Sequence, residues 1–433
     1  MKRKLPLIIF CLSVLSYLTQ AQTAHEEIYA NLYRSASNYY AYPEPGAEVK
    51  PTPAPKGYMA FYISTYARHG SRFLINPADY AEPLSILKKA DKENKLTALG
   101  KQVLNIVDSI AYLSEGRLGE LTPKGVRQHR GIALRMFKNY PEVFTRNALI
   151  DARSTIVIRC ILSMATECLQ LQEMNPRLRF TYDASQHDMV YMNYTDVELD
   201  KLRNTSKVIM AKEELDGKYV HPERLMNTLF NDTGYVSNYI HTHKLMNNLF
   251  DIASNMQSHD VSLNLYPIFT KEECYDLWQR NNLLWYINSG PSPLTEGKMP
   301  YIEANLLENI LNTADTCIIK KENSATLRFG HESCLLPLAA LLELGNCGKT
   351  IADMDSVAIY WRNYKIYPMG SNIQFVFFRK PGSNDILVKA LLNEHEVSLP
   401  MHTDRAPFYH WKDVESYYRK KLSRYRQYSQ KQE

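Results

Sequence analysis

The chain has 433 residues, 45% hydrophobic and 22% charged, with a formal charge of +5. Lys2, Arg3 and Lys4 carry three of those positive charges, so the rest is close to neutral and shows no concentrated basic run of the kind nucleic acids require. That excludes a general polyanion binder, leaves room for a local anion site, and the length admits one large domain or two modest ones.

In chain order, the first element reads as an export signal. A charged start precedes the apolar run Leu5 to Leu18, and Thr19-Gln20-Ala21 places small residues where a signal peptidase cuts. The run is short for a bilayer span, and Cys11 follows bulky Ile9 and Phe10, which argues against lipid attachment. The expectation is an exported chain, periplasmic or extracellular, that starts at Gln22 and has no membrane span. Six later cysteines (Cys160, Cys168, Cys274, Cys317, Cys334 and Cys347) match no zinc spacing. Cys160, Cys168 and Cys334 lie in apolar patterns that suit buried thiols.

Residues 22–57 read as a short helix followed by an irregular arm, because 42–58 is too rich in proline for regular structure. Met59 to Ala67 is a short apolar, β-branched and aromatic run stopped by Gly70, hence a buried strand. Thr122-Pro123 starts a helix, with the hydroxyl as cap and proline in the first turn. Val126, His129, Ala133, Met136 and Phe137 share its inner face, and Tyr140-Pro141 ends it. A strand from Asn147 to Ala152 follows, then a helix that Ser154 or Thr155 caps, buried along Val157, Cys160, Ile161, Met164, Cys168 and Leu171.

From 184 to 285 Asn, Met, Lys and Leu recur at helical spacing, which predicts a helical insertion. An amphipathic helix around Leu306–Leu311 comes next, then a strand at 325–329 and a helix at 335–344. Strands at 357–361, 375–379 and 386–392 complete the pattern, the last two joined by a hairpin turn at Pro381-Gly382-Ser383-Asn384. Alternation of strands and helices predicts an α/β class with a central, mostly parallel sheet flanked by helices. The α/β domain would span 58–183 and 286–433, with an inserted all-helical domain at 184–285.

Two strand-end loops carry candidate chemistry, and such loops are where open α/β sheets bind ligands. Arg68-His69-Gly70-Ser71-Arg72 puts two guanidinium groups, whose planar forks match phosphate oxygens, around one imidazole. Their charges disfavour imidazolium, which keeps His69 neutral and nucleophilic. In Gly330-His331-Glu332-Ser333, His331 sits at a strand end, Glu332 can act as general acid, and Ser333 lies near a helix N-terminus where anions are favoured. Histidine is followed by an acid at five places, and only this one lies between a buried strand and an apolar helix. Arg159, near the first turn of the 154–155-capped helix, is a further phosphate ligand, with Arg153 as the alternative. His241-Thr242-His243 lacks a third ligand, so no metal is expected.

These residues together resemble the histidine acid phosphatases. Arg68 to Arg72 stands at the RHGxR motif, Leu121 to His129 (LTPKGVRQH) resembles the LTxxGxxQ helix start, Arg159-Cys160 matches the third phosphate arginine, and Arg328-Phe329-Gly330-His331 with Leu335 to Leu338 resembles the second histidine loop. The resemblance covers roughly 57 to 400 and implies a phosphoglycerate mutase-like fold. It implies His69 as nucleophile, Arg68, Arg72, Arg159 and His331 as the phosphate clamp, and Glu332 as proton donor. No metal or organic cofactor is implied, and the partner is a small-molecule phosphate ester.

Within the family the likeness is to multiple inositol polyphosphate phosphatases, including bacterial ones acting on phytate. That branch usually carries His-Ala-Glu and most other members carry His-Asp, whereas here the acid directly follows the histidine and is one methylene longer than aspartate. Substrate preference is therefore open between inositol polyphosphates and a broad range of phosphate esters. A non-catalytic phosphate-binding protein is a third reading, and the phosphoglycerate mutase-like branch is disfavoured by Ser71-Arg72, the export signal and the insertion.

Overall fold

The computed structural model describes residues 22–43, 50–145, 147–320 and 324–430, so the expected export signal lies outside the described residues. Among the described residues eight strands form one sheet: β1 (Met59–Arg68), β2 (Leu149–Ser154), β3 (Arg179–Asp183), β4 (Ser324–Gly330), β5 (Asn372–Arg379), β6 (Ile386–Leu392), β7 (His395–Val397) and β8 (Tyr409–His410). Their spatial order is β3-β2-β4-β1-β5-β6-β7, with β8 also paired to β6.

The sheet is mixed. β3, β2, β4 and β1 are mutually parallel, and every pairing from β1·β5 outward is antiparallel. The expectation of mostly parallel pairing thus holds for the half that carries the candidate site and is corrected for the other half. There a tight connection through Gly382 joins β5 to β6 as a hairpin, which only antiparallel strands allow.

β1 and β4 are buried along almost their whole length because helices cover both faces, so even their polar residues, Ser64, Thr65, Thr326 and Arg328, lie inside. On one face, helices Pro123–Asn139 and Ile158–Met174 pack Ile132, Ala133, Met136, Cys168 and Leu171 against Ile63, Ile150 and Leu327. On the other, Ala304–Lys320, Glu332–Leu341 and Trp411–Gln430 close a core with Phe61, Tyr62 and Phe377.

A third core is built from helices and the turns between them. Leu87, Val103 and Val107, from helices Pro77–Lys92 and Ala98–Ser114, pack with Leu229, Leu249, Phe250 and Leu277. The helical layer therefore draws on two separated stretches of chain.

Two local expectations are corrected. Residues 357–361 form no strand: Val357–Tyr360 is a helical turn, and Trp361 is buried edge-on against Tyr286 at 4.9 Å, with its carbonyl accepting from Asn282. That run is apolar because it packs on helix Lys271–Ser289, not because it joins the sheet. Neither Ser154 nor Thr155 caps the following helix, which starts at Ile158 without a side-chain cap. The Ser154 hydroxyl donates to the carbonyl of Thr155, and Thr155 turns toward His331. The Thr122-Pro123 start is as expected, with the Thr122 hydroxyl accepting from the N–H of Gly125.

Among the described residues all six cysteines are free, and no helix is long and apolar enough to cross a membrane.

Candidate active site

Parallel pairing sets Arg68 at the end of β1 opposite Gly330 at the end of β4, so the two loops leave the sheet side by side. The N–H of His69 donates to the Gly330 carbonyl at 3.0 Å, and that of Arg68 to Ser371 at 2.8 Å. Beneath the first loop lies the start of helix Pro123–Asn139. A Cβ on Gly70 would come within 2.6 Å of the Gly125 carbonyl, and one on Gly125 within 2.4 Å of the Ser71 carbonyl. Two glycines thus let loop and helix touch backbone to backbone. Gln128 locks the contact by accepting from the Ser71 N–H at 2.8 Å, and the N–H of Gly70 donates to the Ser163 hydroxyl at 3.1 Å.

His69 is fully buried, and its Nδ1 lies 2.9 Å from the Gly70 carbonyl. A carbonyl only accepts, so Nδ1 carries the proton and Nε2 presents a lone pair. Nε2 has no hydrogen-bond partner. Burial first, and then Arg68 and Arg159, hold the His69 pKa well below its ordinary value against the opposing pull of Glu332.

Around that lone pair are groups of one polarity. Arg68 is fully buried, anchored by Nη1 donating to the Tyr367 carbonyl at 2.7 Å, and its Nε and Nη2 lack hydrogen-bond partners. Arg72 anchors Nη1 on the Phe73 carbonyl, lies 5.5 Å from the ring centre of Tyr39, and leaves Nε without a partner. Arg159, in the first turn of helix Ile158–Met174, also has an unpartnered Nε. His331 faces His69 edge-on at 5.8 Å, with Nε2 3.2 Å from the Thr155 hydroxyl. Burial, aided by Arg159, Arg68 and Arg72, lowers the His331 pKa to about 4.

Glu332 opens helix Glu332–Leu341 and reaches into this cluster. Its carboxylate lies 3.1 Å from Arg68 Nε, 3.6 Å from His69 Nε2 and 4.0 Å from Arg72 Nη2. Burial alone favours the neutral acid, but Arg68, His69 and Arg72 outweigh it and hold the pKa well below the usual carboxylate range. The carboxylate occupies the seat of an anion. His69, His331 and Glu332 bring ligating atoms within 4.8 Å of one another, yet the three guanidinium groups beside them make the seat electropositive and disfavour a cation.

Arg153 and Arg159 differ in their partners. Arg153 is held by Asp188 at 2.7 Å, Asp151 at 3.1 Å and Asp183 at 3.8 Å, whereas Arg159 makes no such pair and its charge acts on Arg68, His69 and His331. His241 and His243 lie exposed at the start of helix Thr242–Met256, away from this cluster.

Several supporting residues escape a sequence reading. Ser163 stands one turn after Arg159, and that i+4 spacing is its only signal. Tyr39 and Tyr367 arrive from remote segments. Tyr39 ends the 3₁₀ stretch Leu32–Tyr39, where Ser37 has φ of 55° and accepts from Asn363 at 2.7 Å. Positive φ at a buried serine is costly backbone and fixes how the arm reaches Arg72.

Residues 64–393 match the model of the histidine phosphatase superfamily, branch 2. The chain belongs to that branch.

In fold it is similar to the multiple inositol polyphosphate phosphatase of Bifidobacterium longum, with a TM-score of 0.73 for the apo form at 17% identity over 88% of this chain and 97% of the other. The phosphate complex of the same protein gives 0.74 over 89% and 97%. The phytase of D. castellii gives 0.65 at 15% identity over 94% and 89%. No curated protein matches the sequence. This branch-2 histidine phosphatase thus has a mixed α/β core with a helix-flanked sheet and an extensive inserted helical region, the phosphoglycerate mutase-like arrangement.

Proposed function

We propose that this protein is an exported phosphomonoesterase that hydrolyses inositol polyphosphates, phytate among them, through a phosphohistidine on His69. The observation that carries the reading is the lone pair of His69 Nε2, buried and unpartnered, surrounded by unpartnered N–H groups of Arg68, Arg72 and Arg159. Buried polar groups are almost always paired, so such a cluster is built for an absent ligand rich in acceptor oxygens.

A phosphate ester enters by displacing the Glu332 carboxylate from Arg68. The dianion then faces Glu332 as a like charge and raises its pKa, which loads the acid with a proton. His69 Nε2 attacks phosphorus, the N–P bond forms as the ester P–O bond breaks, and protonated Glu332 gives its proton to the leaving alkoxide. Arg68, Arg72, Arg159 and His331 hold the equatorial oxygens throughout. Water then attacks phosphorus, the Glu332 carboxylate takes its proton, the N–P bond breaks, and phosphate leaves with His69 restored. The Gly70 carbonyl keeps Nδ1 protonated and Nε2 aimed at phosphorus.

The inositol polyphosphate reading is supported by the LTPKGVRQHRGIALRM and RFGH…LLPL phrases and by fold relatives that are an inositol polyphosphate phosphatase and a phytase. The test follows phosphate release from phytate and from a simple aryl phosphate, at acid and neutral pH without added metal, alongside His69→Ala. Faster release from phytate that vanishes in the variant supports the proposal. Release from the aryl ester alone keeps the mechanism and discards the substrate. No release from either, with the protein folded, leaves a phosphate-binding protein.

A further inference from the structure

The helical layer brings further ionisable groups to the rim of the phosphate seat. Helix Thr242–Met256 docks on the first loop through Asn255, whose side-chain amide donates to the Arg72 carbonyl at 3.0 Å. Asp251 stands one turn earlier on the same face of that helix. Tyr39 lies with its ring centre 5.5 Å from the Arg72 guanidinium. Burial first, and then the charge of Asp251, push the Tyr39 hydroxyl up, with Asp79 and Glu332 adding to the effect and Arg72 opposing it. Tyr39 thus stands between the seat, marked by Arg72 and Glu332, and two carboxylates that the hydrolytic steps do not use.

Those two carboxylates differ in their partners. Asp79, in the first turn of helix Pro77–Lys92, accepts from the N–H of Asn76 at 3.2 Å. Asp251 is half-buried, and among the described residues neither its carboxylate nor the Tyr39 hydroxyl has a hydrogen-bond or ion-pair partner. Arg72, only 3% exposed beside them, also keeps its Nε free. The nearby cations are committed elsewhere. Arg280, on helix Lys271–Ser289, acts on Asp251 by its charge but donates from Nε to Asp216 and from Nη1 to Asn281. Lys244, two turns before Asp251 on the same helix, pairs with Glu82 at 2.6 Å. A carboxylate left in this condition accepts a hydrogen bond from a neutral donor and repels a second anion.

Inositol phosphates present that choice directly, because each ring position beside the scissile phosphate carries either a hydroxyl or another phosphate. We propose that Asp251 determines specificity by reading this neighbouring substituent: its carboxylate accepts from a free hydroxyl and repels a phosphate, so partly dephosphorylated inositol phosphates are preferred to phytate. The proposal rests on the reading of the seat as that of an inositol phosphate phosphatase. Burial, with Asp79 adding its charge and Arg280 opposing, raises the Asp251 pKa to about 7. Below that pH the group is a neutral acid that donates to a phosphate oxygen, so phytate is admitted; above it the ionised group turns phytate away.

The test compares kcat/KM for phytate and for an inositol trisphosphate in which phosphates and hydroxyls alternate around the ring, with an aryl phosphate as reference. Near pH 8 the wild type favours the trisphosphate about tenfold or more, and near pH 5 the gap closes. Asp251→Asn closes the gap at pH 8 by raising kcat/KM for phytate, whereas Asp251→Glu, which restores the charge, keeps it open. Asp79→Asn removes a like charge, lowers the Asp251 pKa, and moves the opening of the gap to lower pH. Calorimetry on His69→Ala reads the same preference as a ratio of Kd values without turnover. That preference in a protein that releases phosphate from no ester supports the role of Asp251 and overturns the phosphatase reading alone. A wild type that prefers phytate at pH 8 overturns the inference. So does an unchanged ratio in Asp251→Asn, including an equal fall for all three esters, which is what a purely structural aspartate would give.

Discussion

Two fully buried arginines sit on adjacent strands two positions apart, and the protein treats them in opposite ways. Arg328 on β4 donates from Nε and Nη2 to Asn309 at 3.0 and 2.7 Å, from Nη2 to Thr313 at 2.7 Å and from Nη1 to Ser64 at 3.0 Å. Arg68 on β1 has one donor settled on Tyr367 and leaves Nε and Nη2 without hydrogen bonds, although a carboxylate lies 3.1 Å away. Burying a charge is costly unless it is hydrogen-bonded. A satisfied arginine therefore contributes to the fold, whereas Arg68 is balanced only by the Glu332 carboxylate and keeps donors that a phosphate can take. Arg153, held by three carboxylates, and Arg159, held by none, repeat the contrast at the next strand.

The sharpest way to break that division is at its centre. His69→Ala removes the nucleophile and is expected to lower turnover by more than ~10⁴-fold while leaving the far-ultraviolet circular dichroism unchanged. Survival of more than a few per cent of phosphate release would place the chemistry elsewhere.

Glu332→Gln comes next. Loss of the proton donor lowers turnover by about 10²–10⁴-fold for alkyl phosphates such as phytate and much less for an aryl ester, whose leaving oxygen needs no proton. The same variant binds inorganic phosphate more tightly, since the seat has lost its charged occupant, and calorimetry reads that directly. Equal losses on both ester classes would remove Glu332 from the acid role.

Arg159→Ala is expected to cost about 10–100-fold in kcat/KM, the value of a charge-assisted contact, whereas Arg153→Ala leaves kcat/KM unchanged and lowers the melting temperature. Arg328→Met should destabilise by roughly 3 kcal/mol in urea unfolding, because buried Ser64 and half-buried Asn309 and Thr313 lose partners worth about 1–3 kcal/mol each. Arg68→Met should instead abolish activity with little loss of stability. If both variants behave alike, the distinction between satisfied and unsatisfied arginines fails.

The smallest effect is in pH. His69 and His331 have lowered pKa values, the latter about 4, so both stay neutral as pH falls from neutrality and become cationic only below that region. The acid limb of kcat/KM for the wild type should therefore lie well below 6.5, as measured with an aryl phosphate. An acid limb close to 6.5 would mean that burial and the arginines do not hold His69 neutral.

The local grammar of the site is written in covalent neighbours. A buried strand running into Arg68-His69-Gly70-Ser71-Arg72 brings an imidazole and two guanidinium groups together within five residues, and no distant contact is needed to propose a phosphate there. Thr122-Pro123 starts its helix, and the apolar stripes around Cys160 and Leu306 name their buried faces, because capping and helical period are properties of the segment itself. The sequence by itself determined, in this sense, which residues could meet a phosphate.

What only the tertiary structure decided depends on groups brought from far along the chain. The parallel register of β1 with β4 sets Glu332 against Arg68 and so makes it an ionised occupant of the seat, which a carboxylate in a sequence does not reveal. Three carboxylates hold Arg153, and two of them come from beyond β2. Tyr39 and Tyr367 reach the arginines from opposite ends of the chain, the helices of 77–114 join those of 223–289 in one core, and an apolar run at 357–361 becomes a helical turn because a helix, not a strand, lies beside it. The physical reason is common to all of these. Burial, charge state and pairing are properties of a neighbourhood, and long-range packing assembles that neighbourhood from segments whose own patterns carry no record of each other.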